Sequence, residues 1–218
     1  VSSRNLVRLF LSTLLLGGLS TGVVGFIVKW GEYHDIFVSG KIPEIIAAFI
    51  WFIGVGMIFS VISQMGFFAY LTVHRFGLGM FRSLWSPVQV ILILLVLFDL
   101  IYFRFLSFGK NNSVAPYVVL GILLFIAGLI VAYIKMKQTN RHAFIPALFF
   151  MTVVTVIEMV PVLRVKEDDW LFFMSIPLVI CNAYQMLALH KINQRSEKEL
   201  EEKRKNNKNT IKGKVQKA

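Results

Sequence analysis

A single cysteine in 218 residues, Cys181, leaves no intrachain disulfide and no cysteine-built zinc cluster. Set inside a hydrophobic run, it reads as a small buried apolar residue rather than a reactive thiol. Acid is scarce too: twelve Asp and Glu stand against 23 Lys and Arg, for a net charge of +11. Ten of those cations lie between Lys191 and the C-terminus, and no stretch outside the apolar runs is long enough to fold around a basic groove. A nucleic-acid partner is therefore not expected. HExxH is missing, as are a GxSx-type serine with a partner histidine, a phosphate-binding loop and a kinase signature. Gly77, Leu78 and Gly79 are followed by Met80, not by the aspartate an intramembrane aspartyl protease requires. His34, His74, His142 and His190 fall at run ends or in loops, where interfacial hydrogen bonding explains them. No catalytic residue, cofactor or metal is expected.

What the chain has in abundance is apolar length: 56 % hydrophobic residues and a mean hydropathy of +0.69, above the range of soluble domains. Six runs, at about 6–28, 45–68, 87–106, 114–134, 143–163 and 170–190, each approach the ~20 residues that cross a hydrocarbon core of about 30 Å. The expected fold is all-α, a polytopic bundle of six transmembrane helices over residues 1–190, multi-pass in the cell membrane. The second run, extended to 42–71, is too long to cross upright and must tilt or project. Arg4 and Arg8 resemble the front of a signal peptide, but the run behind them is too long and lacks a clean small-x-small site, so an uncleaved first helix is expected. Gly18, Gly22 and Gly25 recur at i, i+4 and i+7, a surface that lets another helix approach closely.

Loop charge sets the orientation. With the N-terminus cytoplasmic, seventeen Lys and Arg lie inside and six outside, so both termini are expected in the cytoplasm. Without the tail the balance is seven to six, and the tail dominates the assignment. That tail, 191–218, is charged throughout. Glu199 with Lys203 and Glu201 with Lys205 are i, i+4 pairs in the favourable order. A helix running out of the bilayer is expected to stop near Asn206 and Asn207 and give way to a disordered basic end, drawn to anionic lipid.

The stretch SVISQMGFFAYLTVHRFGLGMFRSLWSP, Ser60 to Pro87, joins two runs through a basic, aromatic hairpin. Gly77 and Gly79 are expected to break the helix. Phe81, Leu84 and Trp85 form an interfacial turn, with Ser86 as the next N-cap and Pro87 at the first helical position. His74, Arg75, Phe81, Arg82 and Trp85 are candidate partner contacts, because aromatic and arginine side chains are enriched at hot spots and equally at lipid interfaces. Together with SRNLVRLFLSTLLLGGLSTGVVGF near the N-terminus, this stretch resembles the KinB-signalling pathway activation proteins of spore-forming bacilli. The resemblance covers most of residues 2–190 and rests on long runs, not a chemical motif. It implies a multi-pass protein without catalytic residues that promotes signalling through a membrane sensor histidine kinase feeding sporulation.

The candidate polar residues inside the runs are Gln64, Asp99, Glu158, Asn182 and Gln185, and a further amide, Gln89, opens the third run. An acid there costs about 2.5–3.5 kcal/mol on insertion scales and needs a reason. Helical rise places Asp99 and Glu158 both in the outer half, and the amides Gln64, Asn182 and Gln185 toward the inner half. An acidic layer above an amide layer is the expectation. Two uses fit it: hydrogen bonding between helices, or a small proton-coupled or cation transporter built on Asp99 and Glu158. No inverted repeat relates the first three runs to the last three, which weighs against transport.

Overall fold

In the computed structural model the glycine face of the first helix settles the first contact. The structure describes residues 3–108, 115–163, 165 and 168–215. Helix α1, Ser3–Val28, lies along α3, Ile42–Phe81. A Cβ added at Gly22 would stand 2.6 Å from the Phe49 ring, and one at Gly25 2.6 Å from Phe52; Gly18 meets Ile53. The tightest crossing is one step away, where Gly17 sits against Ser60 and Gly56 against the Gly17 carbonyl and Thr21. Small residues on both helices permit this approach, and the packing it allows is what associates helices in lipid. Residues 29–41, the segment joining the first two apolar runs, hold a short helix α2, Trp30–Val38. Phe26 makes edge contacts with Tyr33, Phe37 and Phe52, so aromatic packing folds α2 over the end of α1.

Helix α3 runs 40 residues, through Gly77 and Gly79, and turns at Arg82, whose φ of 47° makes it the non-glycine residue of positive φ among the described residues. Membrane helices tolerate glycine when packing supports them, and here the Trp85 indole fills the surface that Gly77 leaves bare. A 3₁₀ turn, Arg82–Leu84, leads into α4, Trp85–Phe108, which begins one residue before the expected Ser86 cap and carries Pro87 in its first turn. Helix α5, Ala115–Gln138, is followed by a 3₁₀ turn, Arg141–Ala143, capped by Asn140. The fifth run is not one helix. It divides into α6, Phe144–Phe149, a π-helical turn Phe150–Val154, α7, Thr155–Glu158, and α8, Val160–Leu163, with Met159 between the last two. Helix α9, Asp168–Val215, contains Pro177 and continues beyond Asn206 and Asn207. Residues 109–113, between the third and fourth runs, and the charges at Lys110, Arg164, Lys166 and Glu167 lie outside the described residues.

Among the described residues, five helical stretches are long and apolar enough to cross a membrane: Arg4–Val28, Ile42–Tyr102, Val118–Gln138, Arg141–Glu158 and Asp169–Glu202. The second spans 61 residues and contains the bend at Arg82. Outward faces carry Leu11, Leu15 and Leu19 on α1, Ile91, Leu94 and Leu95 on α4, and Ile122, Leu123 and Ile126 on α5. Such an apolar exterior is the arrangement lipid requires.

Among the described residues, two apolar cores fill the bundle. One gathers Phe67, Tyr70, Ile93, Phe150, Met151 and Met186; the other gathers Phe52, Phe59, Leu100, Met159, Leu171 and Phe173. The ends beyond the first core are tied together: Asn5 to Ser196, Tyr70 to Pro146, Trp85 to His74, and Lys135 to Met186. Arg4, Arg8, Arg75, Arg82, Lys137, Arg141 and the exit of α9 therefore gather at one end of the molecule.

Candidate functional site

Between the two cores, α3, α7 and α9 each turn a short polar segment inward. Ser63 donates to Asn182 Oδ1 at 2.6 Å, and Gln185 Nε2 donates to Ser63 Oγ at 2.6 Å. Asn182 Nδ2 donates to Thr155 Oγ1 at 2.9 Å and to Glu158 Oε2 at 2.6 Å. All five side chains are buried. Buried polar groups are retained when they satisfy one another, so this is a three-helix junction fixed by hydrogen bonds. Glu158 Oε1 makes no hydrogen bond, and the carboxylate lies directly over Gly66, where a Cβ would overlap it. The π turn lies immediately before this junction on the same run. An extra residue in a turn rotates everything after it.

The layered arrangement is not what forms. Glu158 joins the amides Asn182 and Gln185 in one cluster, while Asp99 is exposed on the outer face of α4. Depth along a helix follows from counting, but the direction a side chain faces does not, and the interruption at 150–159 changes that direction. The carboxylate pair on which a transporter reading rests is absent. Gln64 bonds along its own helix to Ser60 at 3.1 Å, one residue from Ser63. Ser63, Gly66, Thr155, Gly17 and Gly56 were not singled out by sequence. A serine or threonine in an apolar run gives no sign of which neighbour it will meet.

The hairpin is a lock with a charged rim. Trp85 is buried, its Nε1–H donates to His74 Nδ1 at 3.0 Å, and Phe81 stacks on it at 5.9 Å. Trp85, a candidate partner contact by sequence, is packed inward over the bare surface of Gly77, where it holds the turn closed. Arg75, Phe81 and Arg82 remain exposed. His74, half-buried against Tyr70 and Trp85, belongs to the lock. Tyr70 in turn donates to the Pro146 carbonyl at 3.1 Å, connecting α3 to the start of α6.

No group of three or more His, Cys, Asp or Glu among the described residues could hold a metal. The fold and these two sites define an all-α, polytopic membrane-helical protein whose inward polar groups bond helix to helix. A family model, KbaA, described as KinB-signalling pathway activation in sporulation, matches residues 17–192. The KinB-signaling pathway activation protein of Bacillus subtilis (strain 168) is 52 % identical over 194 residues, covering 88 % of this chain and 98 % of that protein. The chain belongs to this family of sporulation-signalling proteins. No solved structure matches it.

Proposed function

We propose that this protein is a non-enzymatic accessory of the cell membrane that activates or stabilises a membrane sensor histidine kinase of the KinB type at the head of a sporulation phosphorelay. The observation that carries this reading is the near end-to-end match to a relative named for activating that pathway. The chain crosses the membrane six times, the bend at Arg82 dividing Ile42–Tyr102 into two crossings, and both termini are cytoplasmic. Seventeen of 23 Lys and Arg on the inner side support that orientation.

In this reading the polar junction sets how α3, α7 and α9 pack, and the hairpin presents Arg75, Phe81 and Arg82 to the kinase at the inner face. Exposed guanidinium groups and an apolar ring suit a carboxylate-bearing partner surface. The test is complementation in a spore-forming bacillus lacking its own copy. Restored sporulation, with more phosphate on the kinase per kinase molecule or more kinase in the membrane, supports the proposal. Unchanged sporulation at normal abundance of this protein contradicts it.

A further inference from the structure

A second surface at the basic end has a different chemistry. Between α1 and α9 lies a cavity of about 340 Å³ lined by Arg8, Ser12, Tyr184, Lys191 and Arg195 over an apolar floor that includes Leu9 and Ile192. Lys191 and Arg195 are four apart, so they share one face of α9 with Tyr184 and Ala188 further up. Arg8 and Ser12 share a face of α1 in the same way. Glu199 is the carboxylate that pairs here, 3.9 Å from Arg195 and within 3.4 Å of the Asn5 amide, which leaves a local excess of cations. The Tyr184 hydroxyl donates to Ser12 at 2.9 Å and ties α9 to α1 at the cavity.

The seam changes character beyond that bond. At the same helical spacing, Arg8 and Ser12 are succeeded on α1 by Leu15 and Leu19, 65 % and 55 % exposed, and Tyr184 on α9 is preceded by exposed Ile176. Three cations thus open onto an exposed apolar track on α1 and α9. A free anion would use the cations and leave the track unexplained, whereas an amphiphile uses both. We propose that this seam is a binding site for one anionic phospholipid, its phosphate held by Arg8, Lys191 and Arg195, its glycerol region against Tyr184 and Ser12, and an acyl chain along Leu15 and Leu19. Basic pockets between membrane helices on the cytoplasmic side select such headgroups. The site requires only that the chain spans a membrane and does not depend on the kinase.

The purified full chain in uncharged detergent is titrated with phosphatidylglycerol or phosphatidylethanolamine of identical tails, and bound lipid is counted by native mass spectrometry. The expected result is one phosphatidylglycerol bound at least tenfold more tightly than phosphatidylethanolamine. Arg8→Gln with Lys191→Gln and Arg195→Gln removes that preference, while the equal charge change Lys203→Gln, Lys205→Gln and Lys208→Gln leaves it within twofold. Arg8→Gln and Arg195→Gln taken singly should each weaken it at least threefold, which keeps the test available if the triple variant does not fold. Unchanged preference in the seam variants, or equal loss in the tail variant, would overturn the proposal. So would displacement of the lipid by inorganic phosphate at equal concentration. Lipid retained by the seam variant that nevertheless loses a co-purifying protein would assign the seam to a partner helix and overturn it as well.

Discussion

Gly66 and Glu158 depend on each other, since the carboxylate occupies the space a side chain at 66 would take. Gly66→Ala must push Glu158 off the helix or α7 off α3, at a cost of about 1–3 kcal/mol. Combining it with Glu158→Ala removes the obstruction, so the double variant should be more stable than the sum of the two single losses by at least ~1 kcal/mol, read from thermal unfolding in detergent. Additive losses would mean that the two residues do not meet. Asn182→Ala leaves Glu158 Oε2, Thr155 and Ser63 without their shared amide and should cost about 2 kcal/mol. Asp99→Asn, on an exposed face, should change stability by no more than ~0.5 kcal/mol. A larger effect of Asp99→Asn than of Asn182→Ala would refute the assignment of the junction. Sequence named Glu158, Asn182 and Gln185 as intramembrane polar residues, but it grouped the first with Asp99, because composition gives depth and not direction.

At the scale of the element, the hairpin combines a strained backbone with a packed aromatic. Arg82 holds φ 47° and ψ −115°, a region that favours glycine. Arg82→Gly should relieve that strain and keep the turn, with no loss of thermal stability. Trp85→Phe keeps the stacking and loses the hydrogen bond to His74, for about 1 kcal/mol; Trp85→Ala empties the surface over Gly77 and should cost about 3 kcal/mol. Equal stability of Trp85→Ala and wild type would show that the indole does not close the turn. The turn itself is visible in the sequence as a change from apolar to basic. Its breaking residue is not, since Gly77, which would mark a break in isolation, serves here as a platform for Trp85, and the helix passes through Gly79 as well. The division of the fifth run is equally hidden, because the π turn and the break at Met159 are composed of the same β-branched and apolar residues as an uninterrupted span.

For the whole molecule, the class of fold was legible because length, hydropathy and loop charge are properties of long segments, and they survive errors of a few residues at each end. Reporters joined after Gly79 and after Lys137 should read cytoplasmic, and those at Asp35, Asn111 and Asp168 external; the opposite pattern would invert the proposed orientation. The inner face would then carry the tail, the lipid seam and the hairpin rim together. The most direct measurement is affinity capture of the full chain from solubilised bacillus membranes, with the sensor kinase quantified in the eluate. Kinase should co-purify with the wild-type protein and fall at least tenfold for Arg75→Gln with Arg82→Gln at unchanged abundance of both proteins. Recovery of no kinase with the wild-type chain would contradict a direct action on the kinase, and equal recovery with the double variant would remove the hairpin from the contact.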